Sequence, residues 1–165
     1  MSLFSSSEMS RRLKNIRKSM SDNGVDAIVI NSVHNTLYYS GFWMVPWGRY
    51  QGVVIPLEGD PAVIAPRIEF DRPHRMSIYD DVRIYWDTQS SVEGIVDIIK
   101  NVLSDRGIEN GVIGFEETFA SYEFHQKLNL GLSNFTFKPF AYQLMEMQKI
   151  KSPEELDVMR HGGQI

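Results

Sequence analysis

The sequence predicts an α/β fold, a mixed sheet of five or six strands flanked by helices, and three observations carry that prediction. Short runs rich in Val and Ile alternate with amphipathic stretches at helical spacing. Several of the runs are apolar almost without a break, as strands covered on both faces must be. Two of them, Gly52–Pro56 and Pro61–Ala65, are joined by Leu57-Glu58-Gly59-Asp60, whose turn residues predict a hairpin and hence an antiparallel pair. At 165 residues and 42% hydrophobic, the chain has enough apolar material for one core and one domain.

In chain order, residues 1–7 read as a leader outside the fold, disordered or added in cloning. Met9, Leu13, Ile16 and Met20 then recur at helical spacing, with serines 5–7 as N-caps and Gly24 as the left-handed stop, so a helix is expected from about Ser7 to Asp22. Val25–Ile30 is β-branched and uniformly apolar, the central strand candidate. A short helix over His34–Tyr39 ends at Gly41. After the hairpin, Glu69–Met76 is a polar, irregular or short helical crossing, and Val82–Trp86 alternates as a strand. Val92, Ile95, Val96, Ile99, Val102 and Leu103 form one stripe of a helix capped by Ser90 or Ser91 and closed by Gly107. Gly111–Phe115 is a further buried strand, a helix is predicted from Thr118 to about Leu128, and Asn134–Lys138 is an edge strand.

A short helix over Pro139–Gln148 precedes a complete helix start: Ser152 as N-cap, Pro153 at the first helical position and Glu155 closing a capping box. Leu156, Met159 and Ile165 would lie along its apolar side, yet barely three turns follow. Residues 8–150 are therefore expected to be the domain, and 151–165 a linker with the first helix of a second domain not present here. Lacking that domain, the stretch after Ser152 is expected to be held weakly.

The charge balance of -4, at pI 5.6, leaves no electrostatic footprint for nucleic acid or an anionic membrane. The basic cluster Arg11–Lys18 reads as a solvated helix face. With no cysteine there is no thiolate metal site, disulfide or cysteine nucleophile. No signal peptide and no membrane span are recognisable, which points to a cytoplasmic protein. Asn134-Phe135-Thr136 matches a glycosylation sequon, without a secretory context to give it meaning.

His34–Gly52, HNTLYYSGFWMVPWGRYQG, has the densest chemistry: six of its nineteen residues are Tyr, Phe or Trp, and Arg49 is its only Lys or Arg. A guanidinium among aromatic faces can take a small acid's carboxylate in a two-point fork. The alternative is an aromatic seam between core elements with Arg49 reaching to water. The histidines stand far apart, with no two at a metal-ligand spacing: His34 reads as structural or capping, His74 and His125 as surface residues, and His161 as undecided. Glu116-Glu117 reads as a solvated turn rather than an acid pair. No catalytic residue, metal site or cofactor site is expected in this chain.

The tail KIKSPEELDVMRHG resembles the domain junction of the creatinase and prolidase family, and RRLKNIRKSMSDNGVDAIVI followed by HNTLYYSGF is similar to that family's opening helix, first strand and signature turn. WGRY and MRHG resemble the creatinase branch more than the peptidases. The resemblance implies an N-terminal domain with a ribonuclease H-like motif, followed in full-length relatives by a catalytic pita-bread domain. It implies a homodimer in which Arg49 and Trp47 reach the partner subunit's active site and meet a small carboxylate substrate. The implied reaction is hydrolysis of creatine to sarcosine and urea. The alternatives are an Xaa-Pro dipeptidase or aminopeptidase, whose divalent metal would sit in the absent domain, and a stand-alone dimerisation module. Two positions depart from the family pattern: Gln148 stands where an arginine is usual, and Trp47 where creatinases carry phenylalanine.

Overall fold

The computed structural model describes residues 4–45, 48–88 and 91–164. Helix α1 (Ser6–Asn23) starts where Ser5 turns its hydroxyl onto the Glu8 amide and ends at Gly24, whose φ of 62° is the left-handed conformation expected there. It leads into β1 (Ala27–Ile30), fully buried, and then α2 (Val33–Ser40), capped by Ser32 and stopped by Gly41. The hairpin is β2 (Gly52–Pro56) and β3 (Ala62–Pro66). A 3-10 turn at Arg67–Glu69 and α3 (Asp71–Met76) make the polar crossing to β4 (Val82–Tyr85). The remaining elements are α4 (Ser91–Ser104), β5 (Gly111–Phe115), α5 (Tyr122–Gly131), β6 (Phe135–Pro139), α6 (Ala141–Lys149) and α7 (Pro153–Gly162).

The six strands form one mixed sheet in the order β4-β3-β2-β1-β5-β6. β1 is central, antiparallel to β2 and parallel to β5, as its unbroken apolar sequence requires. Only β2 runs against the rest, so β1, β3, β4, β5 and β6 all end at one edge of the sheet. Alternate residues divide the core. Ala27, Val29, Val54 and Ile64 pack with Ile95, Ile99 and Val102 of α4 and with Phe124 and Leu128 of α5. Ile28, Ile30, Val53 and Ile55 pack with Ile16 and Met20 of α1, Tyr39 of α2 and Leu144 of α6. Burying each such Ile, Leu or Val side chain is worth roughly 1.5–3 kcal/mol, which is what holds three layers together.

Three expectations change. The helix predicted from Thr118 begins at Tyr122, because Ser121, not Thr118, caps it by accepting the Phe124 amide at 3.1 Å. The basic cluster of α1 is not wholly solvated. Arg12 is 2% exposed, its guanidinium lies 3.9 Å from the centroids of both the Phe4 and Tyr38 rings, and it donates to Glu8, to Glu155 and to the Tyr38 carbonyl. The predicted capping box of α7 is present, but its first turn is also tied down. Ser5 donates from its amide and its hydroxyl to Glu154, at 2.6 and 2.7 Å, while Glu155 receives Arg12 at 3.0 Å. Leu156 and Met159, further along, remain largely open to solvent.

Candidate functional site

Because five strands end together, the helices that follow them also begin together, and two clefts open along this edge of the sheet. The first, of about 490 Å³, lies on the α4–α5 face. Its walls include Asn31 after β1, Arg49 and Tyr50 before β2, Asp87 after β4, and Phe119 and Phe124 around the start of α5. The second, of about 550 Å³, lies between α2, the segment after β5 and α6, with Tyr142, Met145 and Lys149 on its far wall. His34 and Phe119 line both clefts, and their rings meet edge to face at 4.9 Å, forming the partition.

Local chain geometry places Arg49 at the mouth of the first cleft. Gly48, at φ 81°, supplies the left-handed turn before it. Tyr50 folds back over Gly52, where any Cβ would fall 2.4 Å from both the Tyr50 hydroxyl and the Ile30 carbonyl oxygen, so glycine alone permits the approach. The Tyr50 ring then stacks on Phe124 at 5.0 Å. From β4, which lies beyond β3, the Tyr85 hydroxyl donates to the Tyr50 carbonyl at 2.9 Å, and from just after β4 Asp87 receives Arg49 Nε. Burial, with Asp87 nearby, pushes the Tyr85 phenol up to about 12. Arg49 and Asp87 are about one-third and two-fifths exposed. Among the described residues, the two terminal nitrogens of Arg49 have no partner. Trp47, the other predicted substrate-binding residue, lies outside the described residues.

Of the pair Glu116-Glu117, Glu117 is the exposed turn residue expected, but Glu116 is not solvated. Glu116 is 1% exposed and accepts the amides of Asn31 and Ser32, at 2.9 and 2.8 Å, together with the Asn35 side chain. Its carboxylate thus fills the crevice between the ends of β1 and β5, where open α/β sheets commonly receive a ligand's charge. Glu117 turns the other way and accepts the Phe140 and Ala141 amides, each at 3.2 Å, at the start of α6. Gln148, half-buried, donates to Asn35, so the position that departs from the family pattern belongs to the same chain of hydrogen bonds. Sequence reasoning missed Glu116, Arg12 and Asp87. The Glu8-to-Arg12 spacing of four was a legible hint for the second; the other two rest on strand ends meeting.

His34 is exposed, with a ring nitrogen 3.5 Å from the Ser32 hydroxyl, and takes its place as the partition rather than a ligand. His74, His125 and His161 are exposed, and His161 hydrogen-bonds within its own helix, to the Asp157 carbonyl. Among the described residues, no group of three or more His, Asp or Glu is placed to hold a metal ion, and no helix is long and apolar enough to cross a membrane.

Residues 12–150 match the family described as the creatinase/prolidase N-terminal domain. The chain belongs to that family. It is 28% identical over 162 residues to the creatinase of Bacillus sp. strain B-0618, covering 98% of this chain and 38% of that protein. It is 27% identical over 169 residues to the ectoine hydrolase of Halomonas elongata, covering 98% and 42% respectively. The chain therefore spans about two-fifths of the length of these relatives. Among solved structures, a proline dipeptidase from Streptococcus pneumoniae superposes with a TM-score of 0.72 at 16% identity, over 84% of this chain and 98% of that one. The Xaa-Pro dipeptidase of Bacillus anthracis superposes with 0.72 at 14% identity, over 93% of this chain and 39% of that one. These structural likenesses establish the shared fold, with its mixed six-stranded sheet.

Proposed function

We propose that this chain is the N-terminal, non-catalytic domain of a creatinase-like hydrolase, cytoplasmic and homodimeric, in which Arg49 of one subunit meets the carboxylate of a small substrate bound in the other. The observation that carries the reading is the state of Arg49. It is the single Lys or Arg of its aromatic segment, it stands at the mouth of a cleft, and its terminal nitrogens are unengaged among the described residues. A guanidinium so presented can donate two parallel charge-assisted hydrogen bonds to a carboxylate. Trp47, two residues earlier, would supply a flat wall for a planar cation.

The relatives support the substrate class. Creatine and ectoine are both small zwitterions that join a carboxylate to a planar, delocalised carbon–nitrogen cation. The preferred reaction is hydrolysis of creatine to sarcosine and urea. Groups that break the carbon–nitrogen bond are assigned to the part of the longer relatives that this chain does not match, and the chain by itself is expected to be inactive. A second reading is favoured by the fold neighbours, which are proline dipeptidases: the same domain in a metal-dependent Xaa-Pro peptidase, with its divalent metal held elsewhere. A stand-alone dimerisation module is the remaining alternative.

Assay of the complete protein against creatine, ectoine and an Xaa-Pro dipeptide, with and without chelator, separates these readings. Creatine turnover that resists chelation is expected; chelator-sensitive dipeptide cleavage would replace it with the peptidase reading. Arg49→Ala is expected to lower kcat/KM by about 2–4 kcal/mol, the cost of truncating one side of a desolvated charge pair. Mixing Arg49→Ala subunits with subunits lacking their own catalytic base should restore one working site per heterodimer. Unchanged kcat/KM in Arg49→Ala would end the assignment.

A further inference from the structure

We infer that Asp87 is a positioning and specificity-determining residue acting through Arg49; this rests on the proposed role of Arg49 as the carboxylate contact. Two bonds tie the end of the edge strand β4 to the segment that carries Arg49. One is the Tyr85 hydroxyl to the Tyr50 carbonyl, and the other is Arg49 Nε to Asp87. Tyr85 is 3% exposed and fixes the backbone, whereas Asp87, about two-fifths exposed, fixes the side chain at the cleft mouth.

The choice of nitrogen matters. A guanidinium offers a carboxylate two edges, the side edge of Nε with one terminal nitrogen and the end edge of both terminal nitrogens. Asp87 occupies the side edge, so an incoming carboxylate is received end-on. Holding a long side chain in one orientation beforehand removes rotamer entropy that binding would otherwise cost.

The pair also has no net charge. A plain carboxylate entering it would leave two anions sharing one cation. A zwitterion brings its own cation, which Asp87 can attract within the same cleft. The Arg49–Asp87 pair therefore selects for small zwitterions over monoanions of similar size.

The test uses the complete protein with the substrate found active in the assay above, and with butyrate as a plain-carboxylate competitive inhibitor. In Asp87→Asn, KM for the zwitterion is expected to rise about tenfold with kcat little changed, because an unplaced Arg49 must be ordered on binding. The butyrate inhibition constant should move the opposite way and fall, since the cleft has gained a net positive charge. Asp87→Glu should keep the preference for the zwitterion and recover part of the KM. Loss of a merely structural contact would raise both constants together and lower the melting temperature, and that result overturns the inference. If Arg49→Ala impairs catalysis but Asp87→Asn leaves both constants unchanged, the inference fails while the role of Arg49 stands. If Arg49→Ala has no effect, both fall.

Discussion

Arg12 and Arg49 use the same side chain, each against carboxylate, in surroundings that differ in every other respect. Arg12 is 2% exposed, lies between two aromatic rings, and spends its donors on two carboxylates and a carbonyl. Arg49 is about one-third exposed, has one carboxylate partner at Nε and sits at a cleft mouth. The first arrangement joins α1, the end of α2 and the start of α7, with its guanidinium buried away from any ligand. In the second, the end of the guanidinium is left over among the described residues. What distinguishes a structural arginine from a recognition arginine is thus the balance of donors against partners and the direction of the surplus, and segment composition alone does not reveal it.

The largest expected effect tests the structural half of this contrast. Arg12→Ala leaves Glu8 and Glu155, 5% and 7% exposed, close together with the more exposed Arg11 as the cation that still reaches both, and empties the space between the Phe4 and Tyr38 rings. Breaking a buried pair from one side typically costs about 3–5 kcal/mol, and equilibrium denaturation should show a loss of that size. Hydrogen exchange should accelerate at the first turn of α7 before it does in β1, because Glu155 loses its tether there. A loss below about 1 kcal/mol would mean that burial is the wrong criterion.

Acid tests the same cluster from the other partner. The Arg11 hydrogen bonds, reinforced by Arg12 and opposed by burial, hold the Glu8 carboxyl down from 4.5 to about 2. The folded value is depressed, so its contribution is complete above about pH 4.5 and is lost as pH falls through 2. By linkage that contribution is at most about 3 kcal/mol. Urea unfolding between pH 6 and pH 2 should therefore weaken on the acid side, and Glu8→Gln should remove that part of the slope while lowering stability at neutral pH.

Glu116 stands between the two arginines in kind: buried and structural, but placed at the strand-end edge from which both clefts open. Glu116→Gln replaces an anionic acceptor of three hydrogen bonds with an amide whose NH2 must face donors. The expected loss is about 1–3 kcal/mol, the cost of buried donors left unsatisfied. Exchange should rise first at Asn31, Ser32 and the start of α2.

Most of the fold was legible because its causes are local. The β-branched runs of β1, β2, β3 and β5 could be buried only in strands, and Ser152-Pro153-Glu154-Glu155 specifies a helix start without outside help. What was not legible depends on pairs far apart in the chain. Glu116 looked solvated beside Glu117 because only the parallel pairing of β1 with β5 brings the Asn31 and Ser32 amides to it. The depth of Arg12 depends on Glu155, 143 residues away. The site was legible in part: the aromatic segment announced Arg49, while nothing near Asp87 distinguished it from other surface acids. Thr118 misled because it has the same capping chemistry as Ser121, and the segment after β5 is spent crossing the sheet edge before α5 can begin.

The smallest expected effect sharpens the recognition half. If Arg49 is kept for a ligand, its pair with Asp87 should matter little to folding: both side chains are more than a third exposed or nearly so, and water and salt screen them. Arg49→Ala is therefore expected to change unfolding free energy by about 0.5 kcal/mol and by no more than about 1. In a double-mutant cycle with Asp87→Ala the coupling should fall in the same range and shrink as salt is raised from 0.05 to about 0.5 M, since the screening length contracts to a few ångströms. The Arg12 pairs, shut away from ions, should lose far less over the same range of salt. A coupling of 3 kcal/mol or more for Arg49 with Asp87, insensitive to salt, would make Arg49 a second structural arginine and leave the cleft without its cation.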